Sequence, residues 1–311
     1  MTRGFDYRHR PAKNIERHLI VEICRRFLNA LPQLTPQYVG MGALEFIDFE
    51  LMHRSLNISK MYSIEKGEST RFEFNKPFKT ISVLSGTTTE ILRGDVVDLK
   101  KPTIMWLDYT DTLNISIMSD LMHVARTISA PSAFFVTLNA NPSTPISERL
   151  DQLVVDVGSD YIPPGLANSD LSGTGLAAAQ REIVSTVIAN ALSERSTSAQ
   201  WAQVVNLTYR DNAQMQTVGG FFLPANIEPK TLDTWTKGLD FYTPGAEMLD
   251  LRVPVITARE RALLDRQLPK LSRTPLRLAA IPPKDLEAYR RIYRYLHLAG
   301  LQSAAETTWT A

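Results

Sequence analysis

Residues 37–65, QYVGMGALEFIDFELMHRSLNISKMYSIE, decide the fold. Tyr38-Val39 close a short strand after the turn-forming Leu34-Thr35-Pro36, and Gly40 and Gly42 make a G-x-G turn. Ala43 to Leu56 then read as an amphipathic helix with apolar residues at Leu44, Ile47 and Leu51, widened by Phe46, Phe49 and Met52. Lys60 to Glu65 form a second strand and leave Glu65 at its carboxyl end, where open α/β sheets bind ligands. Glycines after a first strand let the backbone approach a ligand, and an acid about twenty residues later accepts ribose hydroxyls. The stretch predicts a nucleoside-binding chemistry without naming a reaction.

Working outward, strand and helix alternate as a doubly wound sheet requires. Lys79 to Ser85 read as a β-branched strand ending at Gly86, and Thr87-Thr88-Thr89 cap a short helix from Glu90. Thr103 to Leu107 make the strongest strand and run into Asp108-Tyr109-Thr110-Asp111. Ile115 to Ile128 follow as a helix with Ser116 and Asp120 on its wet side, and a fifth strand follows Pro131 and ends at Asn139-Ala140-Asn141-Pro142. Residues 143–175 read as a long insertion with a short helical or extended piece at 147–157. Gly175 to Glu194 are helical, with Ile183, Val187, Ile188 and Leu192 on one face. Val204 to Tyr209 and Met215 to Leu223 then make a hairpin around an Asp211-Asn212 turn.

Outside this core, Ile15 to Leu28 predict a helix ahead of the first strand. Thr257 with Glu260 predicts a capped helix running to Pro269, and Asp285 to Leu298 predict another. The domain reading is thus a basic arm and helix over 1–34, a sheet domain over 35–225 and a helical appendage over 226–311, a surface suited to docking a partner protein. The arm carries Arg3, Arg8, Arg10, Lys13, Arg17, Arg25 and Arg26, which could reach a nucleic-acid backbone. Arginines and tyrosines alternate over 289–295 on the last helix, and inward packing of the tyrosines is preferred there over stacking on bases.

At 311 residues and 44% apolar content the chain can bury one large core or two smaller ones. Its net charge of +1 argues against a nucleic-acid binder over its whole surface. Neither a secretory leader nor a membrane span is expected, so the cytoplasm is the expected location. The single cysteine, Cys24, lies in an apolar helical pattern and reads as core. His53 and His123 lack the paired spacing of metal ligands, and His9, His18 and His297 have no carboxylate or cysteine arrangement beside them, so no metal is expected.

A dinucleotide-binding domain would continue with parallel strands and a third glycine, whereas position 45 is Glu, whose carboxylate would face the phosphates. The terminal hairpin after a long helix instead resembles the Rossmann-like sheet of class I S-adenosylmethionine-dependent methyltransferases, over about residues 35–225. The family's first motif resembles Tyr38-Val39-Gly40-Met41-Gly42-Ala43-Leu44, its ribose-binding acid resembles Glu65, and its fourth-strand motif resembles Leu107-Asp108-Tyr109. Tyr38 stands where that family has an acid and Leu44 where it has a third glycine, and no N-P-P-Y follows the fourth strand. The resemblance implies S-adenosylmethionine as cofactor, held by Gly40, Gly42, Ala43, Glu65, Gly86 and Asp108. It also implies Asp108 and Tyr109 beside the transferred methyl, and a nucleic acid or small molecule as acceptor.

Two readings of function stay open on the residues, an active methyltransferase and a binding or regulatory subunit that keeps the fold. The second draws on a loose resemblance of R-P-A-K, F-N-K-P-F and W-L-D-Y to bacterial multi-protein systems such as phage defence. A third, least supported, is a nuclease whose Glu45, Glu65, Asp108 and Asp111 gather magnesium.

Overall fold

The computed structural model describes residues 10–67, 69–228, 230–269 and 274–297. Its strands are β1 (Gln37–Gly40), β2 (Met61–Glu65), β3 (Ile81–Ser85), β4 (Thr103–Asp108), β5 (Ser132–Asn139), β6 (Ala199–Arg210), β7 (Gln214–Pro224) and β8 (Leu249–Leu251). They form one sheet in the order β3-β2-β1-β4-β5-β7-β6-β8. β1 is parallel to β2 and β4, β2 to β3, and β4 to β5, whereas β7 runs antiparallel to β5. This is the doubly wound sheet with an antiparallel terminal hairpin that the sequence predicts. Ten helices accompany it among the described residues: α1 (Pro11–Ala30), α2 (Ile47–Leu56), α3 (Ser69–Asn75), α4 (Thr88–Arg93), α5 (Ile115–Thr127), α6 (Arg149–Val157), α7 (Gly175–Ser193), α8 (Lys230–Trp235), α9 (Ala258–Asp265) and α10 (Pro283–Leu296).

β4 and β5 are buried nearly end to end, as apolar runs covered on both faces by crossover helices must be. β3 is the edge of the parallel part, and only Ile81 of its five residues is fully buried. One large apolar core lies on a face of the sheet, where Met105, Leu107, Phe134 and Val136 meet Leu121 and Val124 of α5 and Ile183, Val184 and Val187 of α7. On α1, Phe27 stacks on Phe221 of β7 at 4.5 Å between ring centroids, an aromatic contact worth about 0.5–1.5 kcal/mol beyond the area it buries.

The chain divides into two compact units. The larger holds residues 21–208 and 212–249; the described residues of the other are 10–20, 209–211 and 250–297. Within the second, Asp211 of the hairpin turn accepts the Ala12 and Lys13 N–H groups at 3.0 Å each, which caps the amino end of α1 from far along the chain. Thr257 and Glu260 form the expected reciprocal cap on α9, which ends at Asp265 rather than at Pro269. On α10, Tyr289 is buried and donates to Asp265 at 2.6 Å, so this tyrosine packs inward.

Several expectations are corrected. The first helix of the sheet domain begins at Ile47, not Ala43, because Ala43 and Phe46 take left-handed backbone angles (φ 48° and 50°). Such angles cost of order 1–3 kcal/mol each in a non-glycine residue. Here they swing the Phe46 ring into the core, 5.5 Å from that of Phe49, which itself meets Tyr38 at 4.9 Å. α2 accordingly buries Phe49 and Met52 while Ile47 and Leu51 stay half-exposed. Asp120 is buried, at 2% exposure, instead of lying on the wet side of α5. Residues 226–311 are not wholly outside the sheet, since β8 supplies its eighth strand.

The basic arm is partly buried where it is described. Lys13 and Arg17 are buried, Lys13 paired with Glu16 at 2.8 Å, and Arg25 and Arg26 both bond Glu22. Arg3, Arg8 and His9 lie outside the described residues. Cys24 is buried, and burial pushes its thiol up, as expected of a core cysteine.

Candidate functional site

Strand order reverses at β1, whose neighbours are β2 on one side and β4 on the other, so the carboxyl ends of these strands flank the topological switch point. Gly40 is level with Ser63 of β2 and Trp106 of β4, and two residues further on each strand come Glu65 and Asp108. Glu65 is in turn level with Ser85 of β3, and Asp108 with Thr137 of β5. Register alone therefore brings Glu65, Ser85 and Asp108 into one row along the edge of the sheet.

The centre of that row is a buried network. Ser63 and Glu65, two apart in β2, point to the same face. The Ser63 hydroxyl donates to Glu65 Oε1 at 2.6 Å and accepts the Gly42 N–H at 2.9 Å, and the Gly42 N–H also reaches Glu65 Oε1 at 2.8 Å. Gly86, just past β3, donates its N–H to the Glu65 carbonyl at 3.0 Å. Glu65 is only 6% exposed. Burial holds its carboxyl above the usual carboxylate range, against the opposing pull of Ser63 and the Gly42 and Ala43 N–H groups.

The glycines serve a packing role that spacing alone does not reveal. A Cβ on Gly40 would lie 2.6 Å from the Tyr38 hydroxyl, and one on Gly42 would lie 2.5 Å from the Phe46 ring and 2.7 Å from Ser63 Oγ. The room beside both glycines is taken by the chain's own side chains. Glu45 is exposed, two residues beyond the network.

Beyond β4, Asp108 is half-buried, whereas Tyr109 turns inward. The Tyr109 hydroxyl donates to Asp120 Oδ2 at 2.8 Å, and Thr89 of α4 donates to Asp120 Oδ1 at 2.6 Å. Burial and the neighbouring Asp120 push the Tyr109 hydroxyl far up, and burial also raises the Asp120 carboxyl above its ordinary value. The α4 end is fixed by the expected cap, Thr87 and Glu90 bonding each other reciprocally. The structure thus brings Gly42, Ala43, Glu65 and Gly86 together and places Asp108 in the same row, while the side chain of Tyr109 is committed to α5. Ser63 and Asp120 were not anticipated. Ser63 had a signal, a polar residue on the same strand face as the acid, whereas the partner of Asp120 comes from another element.

His53 bonds the Ile58 carbonyl and lies against the Phe78 ring, and His123 bonds the Leu92 carbonyl. Among the described residues no three His, Cys, Asp or Glu side chains are grouped to hold a metal ion. Glu45 is exposed, while Glu65 Oε1 accepts the Gly42 N–H and the Ser63 hydroxyl. Among the described residues no helix is long and apolar enough to cross a membrane.

Solved structures match this chain at low identity and with TM-scores below 0.5. Trm1 from Pyrococcus horikoshii, solved with S-adenosyl-L-methionine, is 13% identical over 71% of this chain and 57% of that one, with a TM-score of 0.44. CrArsM, an arsenic(III) S-adenosylmethionine methyltransferase from Chlamydomonas reinhardtii, is 10% identical over 63% of this chain and 66% of that one, TM-score 0.37. A complex containing the Haloferax volcanii Trm112 methyltransferase activator matches at 12% identity over 34% of this chain and 46% of that one, TM-score 0.29. The chain spans less than two thirds of the length of each. A search of the curated proteins gave no match. Residues 5–297 match the model of a family described as "Putative O-methyltransferase", and the chain belongs to that family.

Proposed function

We propose that this chain transfers a methyl group from S-adenosylmethionine to an oxygen of a small-molecule acceptor. The observation that carries the proposal is Glu65, an acid seated at the carboxyl end of β2 beside the switch point, buried yet held ready by Ser63 and Gly42. A carboxylate has about four lone-pair sites. Burial keeps its carboxyl raised despite the Gly42, Ala43 and Ser63 donors, so further donors such as ribose hydroxyls would be gained favourably. On this ground the residues fit the cofactor.

The cofactor, when bound, supplies an electrophilic methyl on a sulfonium. Glu65 accepts the ribose hydroxyls, the Gly40 to Ala43 turn and Gly86 line the approach, and Asp108 stands at the end of β4 to orient or take the proton of the acceptor hydroxyl. Tyr109 acts through its bond to Asp120, fixing the start of the loop that follows Asp108. A small acceptor is preferred to nucleic acid because Lys13 and Arg17 are buried and Arg25 and Arg26 are paired with Glu22. No specific observation favours the regulatory-subunit or defence-system reading over this one.

Calorimetric titration of the full chain with S-adenosylmethionine tests the proposal. Saturable heat that weakens in Glu65→Gln is expected. A folded protein that gives none would overturn it.

A further inference from the structure

A cleft of about 470 Å³ opens between α4 and α5, lined by Arg93, Ser119, Met122, His123 and Arg126. Its position follows from the topology. Both helices carry the chain back from the carboxyl end of one strand to the amino end of the next, β3 to β4 and β4 to β5. Arg93 is the last residue of α4, and Ser119, His123 and Arg126, spaced four and three apart, run along one face of α5 towards its carboxyl end. The cleft therefore lies away from the row of Glu65, Ser85 and Asp108.

Two hydrogen bonds across the groove hold its polar walls in place. Arg93 Nη2 reaches from α4 to donate to Ser119 Oγ at 2.7 Å, and the His123 ring reaches back from α5 to the Leu92 carbonyl at 2.9 Å. Arg93 is thus fixed against the cleft by a neutral partner, which takes one of the five N–H donors of its guanidinium. Arg126, three residues beyond His123, pairs with Glu194 at the end of α7 at 2.5 Å, and both are exposed. Exposed ion pairs of this kind contribute little and exchange readily for a better acceptor. Among the described residues no carboxylate lines the cleft. Asp120, beside Ser119 in sequence, is buried and accepts from Thr89 and Tyr109. Burial raises its carboxyl, against the pull of Thr89, Tyr109 and, through space, Arg93 and His123.

Two guanidiniums on one space with no acid in its wall select an oxyanion, and the arginine fork matches the oxygens of a phosphate. Met122 adds apolar surface for the body of a ligand. The volume is that of a small-molecule site, roughly 300–1,000 Å³. A nucleic-acid strand would need a longer track of cations. We propose that this cleft binds the phosphate or diphosphate group of a small molecule, with Arg93 as its anchor and Arg126 leaving Glu194 to close on it. The site does not depend on methyl transfer.

Calorimetric titration of the full chain with inorganic pyrophosphate, at low salt and without S-adenosylmethionine, tests the proposal. Saturable binding at submillimolar concentration is expected, at least tenfold weaker in Arg93→Gln, as loss of a charge-assisted bond predicts, and at least threefold weaker in Arg126→Gln. Both side chains are exposed, so the core is undisturbed. Arg54→Gln, which removes an exposed arginine of α2, should leave the affinity unchanged. Acetate should not compete, and a thymidine oligonucleotide should bind no more tightly than pyrophosphate. The proposal is overturned by a folded protein that gives no heat, by unchanged affinity in either cleft variant, or by an equal loss in Arg54→Gln. Competition by acetate at the concentration of pyrophosphate, or an oligonucleotide that binds more tightly and is lost in Arg93→Gln, overturns it as well.

Discussion

Replacing Glu65 by Gln should separate binding from folding. The amide keeps an oxygen where Glu65 Oε1 accepts the Gly42 N–H at 2.8 Å and the Ser63 hydroxyl at 2.6 Å, so the network at the end of β2 survives. What disappears is the charge that strengthens bonds from ribose hydroxyls. Hydrogen bonds to charged groups contribute about 1.5–3 kcal/mol. At 1.4 kcal/mol per decade this raises the Kd for S-adenosylmethionine by roughly 10- to 150-fold. The carboxyl is held above its ordinary value by burial, so the native state binds a proton more readily than the unfolded chain. Its contribution to stability is therefore greatest at low pH and declines as pH rises from the ordinary glutamate value of about 4.5 through the higher folded value. Glu65→Gln should flatten that decline while leaving the midpoint at low pH nearly unchanged. Calorimetry with S-adenosylmethionine and thermal unfolding over a pH series read the two effects. A Kd within twofold of the parent protein, or a pH dependence of stability that persists unchanged, would refute the reasoning.

Other outcomes follow from the same geometry. Affinity for S-adenosylmethionine should fall as pH drops through the raised Glu65 value, a loss that calorimetry at two pH values detects and that Glu65→Gln should not show. Tyr109→Phe leaves the buried Asp120 without one of its donors and should cost about 1–3 kcal/mol in urea unfolding, with non-additive loss when combined with Asp120→Asn. Gly42→Ala drives a methyl into the Phe46 ring and Ser63 Oγ and should cost about 1–3 kcal/mol, with cofactor affinity falling alongside. Asp211→Ala removes the cap of α1 and should speed hydrogen exchange at the first amides of that helix by roughly 2- to 30-fold, from about 0.5–2 kcal/mol.

Much of this was legible in the residues, for identifiable reasons. The alternation of strands and helices, the hairpin and the place of Glu65 depend on local periodicity and turn chemistry, which a sequence displays directly. Thr87 and Glu90, three apart, announce their cap in the same way. The errors arise where a distant partner decides. Asp120 falls in register with Ser116 on the polar stripe of α5, and only the folded chain brings Tyr109 and Thr89 to cover it. The start of α2 was placed too early because Ala43 and Leu44 favour helix, whereas ring packing by Phe46 against Phe49 imposes left-handed angles. Gly40 and Gly42 were found by spacing, yet the room they provide is used by Tyr38 and Phe46. Gln180 gave no signal in the sequence, because the Leu113 N–H that it accepts comes from another element.

The cap that Asp211 places on α1 also constrains the timing of synthesis. The two are separated by 199 residues, and at about 5–20 residues per second the capping side chain is made roughly 10–40 s after Ala12. During that interval the first turn of α1 has its N–H groups on water or on another acceptor, and only the closing of the hairpin brings it to its final ends. A nascent chain halted before the hairpin would therefore carry a frayed amino end, open to proteases and chaperones, long after its first strands could pair.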